Sequence, residues 1–295
     1  MRPQNLFHQS LATQKCTLGC PILDRCLGGG IPCNSITELV AESGSGKTQL
    51  CLQLSLSAQL PASSGGLSAS SLYLHTEFPF PIRRLHELST NFRSSNPCND
   101  HNPCDNIFVQ GVYTVDHLLD LMPRMESFIE NSKSRFPIRL IVIDSIAALF
   151  RSDFENTPGD LKKRSSLFFK ISGKLKAMAT GFGLAVVVTN QVVDLVGPDE
   201  GINGLRVGNL GCLYSSGRRV CPALGLAWAN CVNSRLFLAR DDEFVSQENQ
   251  LVNGDGGDFV SRRTRRWIHV VFAPHLPISS CEFEIRREGV FGVER

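Results

Sequence analysis

The sequence contains no apolar run that approaches eighteen residues, the length at which a segment becomes a candidate membrane-spanning helix. It also lacks a recognisable secretory leader, and its 11 cysteines are scattered without the spacing of a disulfide framework. The formal net charge is only +2, which by itself indicates no class of partner. We therefore expect no membrane partner, reduced thiols, and a nuclear or cytosolic location.

A zinc site is not favoured by the cysteines either. Cys98, His101 and Cys104 lie close together in a polar stretch, but a structural zinc site needs four ligands and no fourth is evident. Hydrophobic residues make up 42% and charged residues 20% of the 295 residues, as in an ordinary globular protein. The chain is long enough to bury a large core in one α/β domain.

Residues 41–48, AESGSGKT, follow an apolar run at 35–40 and precede a second apolar stretch at 49–60. This order of strand, glycine loop and helix predicts a phosphate-binding loop, against the alternative of a glycine-rich turn with an exposed lysine. The glycines let backbone N–H groups surround an anion, and the helix adds the positive end of its dipole. The predicted nucleotide-binding residues of the loop are Ala41, Glu42, Ser43, Gly44, Ser45, Gly46, Lys47 and Thr48.

Two residues of this loop have specific expected roles. Lys47 should reach the β- and γ-phosphates, and the Thr48 hydroxyl should bind Mg²⁺. Ala41 departs from the motif, which has glycine at its first position. If that position requires a positive φ, alanine costs about 1–2 kcal/mol there.

Apolar and amphipathic segments alternate between residues 35 and 190, which predicts an α/β fold with a mostly parallel sheet covered by helices on both faces. Pro123 should kink or interrupt the helix at 114–132, and residues 192–224 have no clear pattern. The other predicted helices are 81–90 and 160–180; the predicted strands are 71–75, 107–110, 140–143, 184–189, 233–239, 267–272 and, last, 280–287, with a charged excursion between 239 and 267.

Three polar residues follow predicted strands, where ligands bind in sheets of this kind. Asp144 should hold Mg²⁺, or otherwise cap the helix that begins at Ser145. Glu77 should polarise a water in line with the γ-phosphate, unless it is only an exposed glutamate. Gln191 could contact the γ-phosphate and report it to the loop that follows.

Two segments are rich in basic residues. Residues 162–176 hold six basic residues and no acid, and residues 261–267, SRRTRRW, hold four arginines. Such clusters suit a polyanion, although a solvated basic face is an equal alternative for either one.

The motifs together resemble the RecA/RadA-type recombinases. The segments that carry the resemblance are AESGSGKTQL, SLYLHTE followed by RRL, LIVIDSIAALFR, GLAVVVTNQVV and GLAWANCVNSRLFLAR, and it extends over about residues 17–290. The segments LGCPILD and FAPHLPISSC place the chain close to the eukaryotic recombinase-paralogue branch. The resemblance implies a RecA-like P-loop ATPase core at 17–295 with a C-terminal antiparallel extension, preceded by an N-terminal arm at 1–16.

The resemblance also implies roles for individual residues. Arg84 would stack on the adenine of ATP, and Gln191 would link nucleotide state to DNA. Residues 152–160 would begin a first DNA loop, and residues 194–224 would form a second. The implied catalytic residues are Glu77, Lys47 and Gln191; the implied metal ligands are Thr48 and Asp144; the implied DNA-binding residues are Lys162, Lys163, Arg164, Arg206, Arg218 and Arg219.

The implied function is mitotic and meiotic homologous-recombination repair of DNA double-strand breaks in the nucleus, through single-stranded or junction DNA. The implied partner is another recombinase paralogue in a heterodimer, with the main recombinase as a further candidate. The expected activity is a weak DNA-dependent ATPase that assists recombinase filaments or processes junctions. The alternative is a non-catalytic subunit whose bound nucleotide is structural, and a small-molecule P-loop kinase fits poorly.

Departures from the family pattern favour a partner over filaments of this chain alone. The adenine-capping acid of the filament-forming members is missing, because Val271, Phe272 and Ala273 occupy that stretch. Only about 16 residues precede the core, too few for the helical DNA-binding domain of longer members. The apolar and thiol residues of this arm, Leu6, Phe7, Leu11 and Cys16, are expected to contact a partner, unless the arm is a disordered tail.

Overall fold

The computed structural model describes residues 13–77, 79–96, 102–132, 136–151, 154, 157–195, 213–247 and 259–294. The α-helices are α1 (Pro21–Cys26), α2 (Lys47–Ser57), α3 (Ile82–Ser95), α4 (Val115–Asn131), α5 (Pro158–Phe182) and α6 (Gly225–Ala229). The strands are β1 (Lys15–Cys16), β2 (Ile31–Pro32), β3 (Ser35–Ala41), β4 (Ser70–His75), β5 (Ile107–Gly111), β6 (Ile138–Asp144), β7 (Ala185–Asn190), β8 (Val192–Asp194), β9 (Leu213–Ser215), β10 (Arg218–Pro222), β11 (Ser234–Gln247), β12 (Phe259–Phe272), β13 (Ser280–Ile285) and β14 (Val290–Gly292).

Within these described residues, one sheet of nine strands has the order β14-β13-β12-β11-β3-β7-β6-β4-β5. The strands from β11 to β5 are parallel to one another. β12, β13 and β14 continue the sheet in antiparallel pairs. The predicted α/β fold with a mostly parallel sheet and a C-terminal antiparallel extension is therefore confirmed.

Successive residues of the central strands belong to different faces of the sheet, because side chains alternate along a strand. In β6, Leu140 and Val142 pack with α2, whereas Ile141 and Ile143 pack with α4 and α5. Both faces are therefore apolar, which explains why the central strands have the continuous hydrophobic sequences that are typical of a covered parallel sheet.

The ends of the long helices follow from local sequence. Thr114 caps α4 by accepting a hydrogen bond from the His117 N–H at 3.1 Å. Thr157 caps α5, and Gly183 ends it in the left-handed conformation with φ 67°. Of the two effects predicted for Pro123, a kink or an interruption of the helix at 114–132, the interruption is wrong, since α4 runs without a break from Val115 to Asn131 with Pro123 inside it. Pro123 lies on the exposed side of α4, where the helix continues around it.

The C-terminal half contains more strand than the sequence pattern predicts. The charged excursion after residue 239 lies largely in β11 and β12, which form one long antiparallel pair. Residues 192–194, 213–215 and 218–222 form a small three-stranded sheet of β8, β10 and β9 within a stretch that has no clear pattern. The strand at 280–285 is followed by β14, so it is not the last one.

The first described residues are part of the folded chain. Lys15 and Cys16 pair with Pro32 and Ile31, and Cys16 is fully buried in the core of the same chain. The expectation that Cys16 needs a partner to bury it is therefore wrong. Leu6, Phe7 and Leu11 lie outside the described residues, and the domain boundary after residue 16 stays a prediction. In the part of the chain that is described, no helix combines the length and apolar character that crossing a membrane requires.

Candidate nucleotide-binding site

The glycine loop between β3 and α2 has the backbone geometry of an anion cradle. Gly44 and Gly46 have φ values of 79° and 110°, which side-chain-bearing residues rarely adopt. α2 begins at Lys47, and within the described structure no side chain caps its first turn. The N–H groups that open a helix have no partner inside the helix, so they remain available to a bound anion.

Ala41 does not carry the expected backbone penalty. It is the last residue of β3, is fully buried, and pairs with Leu238 of β11. Among the described non-glycine residues, positive φ values occur at Asn34, Ser68 and Ser216, and not at Ala41. Because position 41 has strand geometry, alanine fits there without the cost of about 1–2 kcal/mol that a left-handed conformation would impose.

Asp144 is held at the end of β6 by three hydroxyl groups. The Thr48 and Tyr73 hydroxyls donate to Oδ2 at 2.7 and 2.8 Å, and the Thr189 hydroxyl donates to Oδ1 at 2.6 Å. The two predicted metal ligands, Thr48 and Asp144, are thus in direct contact. Hard oxygen donors of this kind are the ligands that Mg²⁺ prefers, so the residues present fit the metal.

Glu77 and Gln191 also meet, although they follow different strands. The Gln191 side-chain amide donates to Glu77 Oε1 at 2.8 Å. Arg151 lies 3.6 Å from the same carboxylate oxygen, in an exposed ion pair. The predicted water-polarising residue and the predicted γ-phosphate sensor therefore form one hydrogen-bonded unit beside the loop.

Arg84 lies at the other end of the cavity, on α3. Its guanidinium donates to Gln49 Oε1 at 2.7 Å and to the backbone carbonyls of Arg286 and Arg287 at 2.7 and 2.8 Å. These bonds hold the planar group firmly between α2 and the turn that precedes β14. A fixed guanidinium plane can stack on an aromatic base, so the geometry is compatible with the role that the resemblance implies for Arg84.

One cavity of about 1140 Å³ is lined by residues of the glycine loop, by Asp144, by Glu77 and Gln191, and by Arg84. The loop residues in its lining include Lys47 and Thr48. The Lys47 ammonium donates to the carbonyl of Ala41 at 2.7 Å and to that of Glu42 at 3.0 Å. Burial lowers the pKa of Lys47, while the charges of Asp144 and Glu77 oppose this shift. A lysine that is partly desolvated in this way gains more from a phosphate than an exposed one does.

The Glu42 side chain points away from the cradle and towards the β9–β10 hairpin. It accepts hydrogen bonds from the Ser215 and Ser216 hydroxyls and forms ion pairs with Arg218 and Arg240 at 3.0 and 3.2 Å. Burial alone would raise the pKa of Glu42, but these hydroxyl groups and guanidinium groups lower it overall. At position 42 only the backbone remains available to a phosphate, and the carboxylate instead fixes the hairpin to the loop.

The predicted DNA-binding residues lie in different environments. Lys162, Lys163 and Arg164 are on the first turns of α5, where Lys163 lies 5.9 Å from the centre of the Phe154 ring. Arg218 is ion-paired to Glu42 and Asp194 at the edge of the cavity. Arg219 is in β10 and Arg206 lies outside the described residues. The stretch from 194 to 224 is not one continuous loop, because β9 and β10 lie within it.

One arginine of the second basic cluster, Arg265, is neutralised within the chain. Arg265 of β12 pairs with Glu243 at 2.9 Å and with Glu282 at 2.8 Å. Arg265 lies in β12 opposite the acidic residues 241–243 of β11. Its ion pairs favour the solvated-face interpretation for Arg265.

For the zinc alternative, Cys98 and His101 lie outside the described residues. The residues that are described contain no cluster suited to a metal among their His, Cys, Asp and Glu side chains.

A glycine loop between a parallel strand and a helix, with carboxylates after two neighbouring strands, defines a P-loop nucleotide-binding domain. The Rad51 family model matches residues 10–204. The chain therefore belongs to the Rad51 family, a family of RecA-like nucleotide-binding ATPases. This assignment confirms the recombinase family that the sequence motifs resemble.

Individual relatives resemble the chain over most of its length. The chain is 61% identical over 299 residues to the DNA repair protein XRCC3 homolog of Arabidopsis thaliana, which covers 100% of this chain and 98% of the relative. It is 35% identical to the DNA repair protein XRCC3 of Mus musculus, over 95% of this chain and 76% of that protein. It is 32% identical to the DNA repair protein RAD51 homolog 2 of Mus musculus, over 98% and 77% respectively.

Proposed function

We propose that the cavity binds ATP together with Mg²⁺. Lys47 and the backbone of residues 42–46 would hold the phosphates, Thr48 and Asp144 would hold the metal, and Arg84 would cover the base. The contact between the Thr48 hydroxyl and Asp144 supports this assignment most directly, because it places two hard oxygen ligands at the end of the cradle. When bound, Mg²⁺ neutralises phosphate charge and lowers the barrier to phosphoryl transfer.

The chain is a recombinase paralogue that acts in DNA repair by homologous recombination, in line with its similarity to XRCC3 and RAD51-homolog proteins. We propose that it works as a weak DNA-dependent ATPase in a heterodimer with another Rad51-family protein, on single-stranded or junction DNA in the nucleus. Interaction with the main recombinase is part of the same proposal. The exposed Lys162 and Lys163 at the start of α5 support the DNA contact. Only a short segment of the chain separates α5 from Asp144 in the nucleotide cavity.

Hydrolysis would require Glu77 to orient a water against the terminal phosphate. In this structure its carboxylate is engaged by Gln191 and Arg151. Both contacts are to Oε1, so an attacking water must be oriented by Oε2 or must displace one of these partners, and this restriction favours slow turnover. Gln191 is followed directly by β8, which leads into the predicted second DNA region. A change in the hydrogen bond between Glu77 and Gln191 could therefore shift the position of that region.

The same observation supports the second candidate, a binding subunit whose nucleotide is structural. ATP hydrolysis should be measured with and without single-stranded DNA, for the chain alone and with a co-expressed Rad51-family partner. Glu77→Gln should retain ATP binding and lose about 10²–10⁴-fold in turnover. Glu126→Gln, an exposed substitution on α4 away from the cavity, is the matched control and should turn over as wild type. Absence of wild-type turnover under every condition would support the structural-nucleotide alternative.

The DNA part of the proposal has its own test. The affinity for single-stranded DNA should fall with salt with a log–log slope of about 0.7 per phosphate contacted. Replacing Lys162, Lys163 and Arg164 by alanine should flatten this slope, whereas Lys162→Arg with Lys163→Arg should preserve it. An affinity that does not depend on salt would contradict the proposed electrostatic contact.

A further inference from the structure

The long pair of β11 and β12 places two arginines opposite each other beside the glycine loop. Arg240 of β11 pairs directly with Arg266 of β12. Directly opposite residues of an antiparallel pair share a face of the sheet, and like charges in this position repel each other. Anionic groups close to both guanidinium groups would relieve this repulsion.

Arg240 has such groups within the chain. It forms ion pairs with Glu42 at 3.2 Å and with Asp242 at 3.7 Å. It also packs directly against the loop, since a Cβ atom on Gly44 would lie 2.6 Å from Arg240 Nη1. Arg240 is therefore a structural neighbour of the cradle whose charge is already compensated.

Arg266 differs from Arg240 in this respect. Its buried Nε atom has no hydrogen-bond partner among the described residues. Burial and then the charge of Arg240 lower the pKa of Arg266, and the charge of Asp242 acts in the opposite direction. By contrast, the adjacent Arg265 is bonded to two glutamates. A buried charged donor without a partner is costly, so Arg266 is suited to an anionic ligand.

The neighbours of Arg266 show where that ligand would lie. On one side its cross-strand neighbour Arg240 packs against Gly44; on the other its neighbour Phe283 of β13 packs against Gly46, at 3.5 Å from the position of an added Cβ. Arg266 thus lies between Arg240 and Phe283, the residues of β11 and β13 that pack against the glycine loop. It also lines the same cavity as Lys47 and Thr48.

We propose that Arg266 is a further phosphate-binding residue, whose guanidinium contacts the β- or γ-phosphate of a nucleotide bound in the same chain. This inference rests on the proposed function, because it requires ATP in the cavity. Arginine is suited to this task since its planar fork offers several N–H donors to phosphate oxygens. The phosphate belongs to the nucleotide and not to DNA, because Arg266 lines the cavity that contains Lys47 and Thr48.

The test compares ATP, ADP and AMP binding by wild type, Arg266→Gln, Arg266→Lys and Arg265→Gln. Arg266→Gln should bind ATP about 10- to 100-fold more weakly, the effect of losing one charge-assisted hydrogen bond. ADP should show the same loss if the contact is to the β-phosphate and little loss if the contact is to the γ-phosphate. The affinity of this variant for AMP should change less than about threefold. Arg266→Lys keeps the charge and should lose less ATP affinity than the glutamine variant. Arg265→Gln removes the adjacent arginine on the opposite side of the strand and should bind all three nucleotides as wild type.

Several results would overturn the inference. Unchanged ATP affinity in Arg266→Gln, an equal loss for ATP and AMP, or the same loss in Arg265→Gln would each do so. Loss of single-stranded DNA binding with normal ATP binding would show that the phosphate belongs to DNA instead. If Lys47→Ala weakens ATP binding while Arg266→Gln does not, the inference fails and the proposed function stands; if wild type does not bind ATP, both fail.

Discussion

Replacing Glu38 by glutamine should destabilise the sheet, because it removes one partner of a fully buried ion pair. Glu38 of β3 accepts from Arg235 of β11, and both side chains are at most 1% exposed. The other carboxylate oxygen accepts from the Asn190 amide of β7 at 2.7 Å. Glutamine keeps the shape and an oxygen acceptor for Asn190, so the substitution changes mainly the charge.

The expected magnitude follows from the cost of an uncompensated buried charge. Breaking one partner of a buried pair typically costs about 3–5 kcal/mol. At about 2 °C per kcal/mol for a domain of this size, the melting temperature should fall by about 6–10 °C. Removing both charges, in Glu38→Gln with Arg235→Met, should recover most of the loss, because no isolated charge then remains in the core.

Thermal and guanidinium unfolding of wild type, both single variants and the double variant would measure this coupling. The account predicts that Glu38→Gln is less stable than the double variant. If the double variant is as unstable as the sum of the two single variants, the charges are not coupled and the reasoning about this pair is refuted.

Three further predictions concern single side chains. Tyr73→Phe removes a buried hydrogen bond to Asp144 and should lower the unfolding free energy by about 1.5–3 kcal/mol, whereas the exposed Tyr214→Phe should leave the melting temperature unchanged. Pro123→Ala, at an exposed position inside α4, should raise stability by about 1–3 kcal/mol in a denaturant titration, and no gain would contradict a proline penalty there. Burial, with smaller effects from neighbouring thiols and a carboxylate, raises the pKa of Cys281 to about 11. Its rate of alkylation by iodoacetamide, measured by mass spectrometry, should therefore rise about tenfold per pH unit from pH 8 and level off near pH 11. A plateau near pH 9 would show an unperturbed thiol.

The parallel part of the fold could be predicted because its strands are apolar on both faces and end in distinctive polar residues. The glycine loop, Glu77, Asp144 and Gln191 all follow such strands, and strand order alone brings their carboxyl ends to one edge of the sheet. The contacts between Thr48 and Asp144 and between Gln191 and Glu77 are consistent with that reasoning.

The C-terminal strands could not be predicted in the same way. β11 and β12 are joined by polar side-chain pairs, such as the hydrogen bond from Thr264 to Asp242 at 2.6 Å and the ion pair of Arg265 with Glu243. The sequence of these strands is therefore polar and charged, and it lacks the apolar alternation by which strands are recognised. The site residues that sequence reasoning missed have a related cause. Tyr73 is a polar residue within an apolar strand, and its hydroxyl is recognisable as part of the site only once β4 lies beside β6.

The register between distant strands is a further property that the sequence does not reveal. The pairing of Arg240 with Arg266, and of Glu38 with Arg235, depends on which residues of β11 lie opposite β12 and beside β3. Each of these four side chains is an ordinary charged residue when the sequence is considered alone. Only the packed sheet shows that Glu38 and Arg235 are buried and that Arg240 and Arg266 lie beside the glycine loop.

The central claim is that the glycine loop binds the phosphates of ATP through Lys47. The most direct measurement is a calorimetric titration of ATP with Mg²⁺ into wild type, Lys47→Ala and, as a control on an exposed face of α5, Lys170→Ala. The account predicts that Lys47→Ala remains folded without nucleotide and binds ATP about 10- to 100-fold more weakly, the loss expected for a charge-assisted contact of about 1.5–3 kcal/mol. ATP affinity that is the same in all three proteins would contradict it.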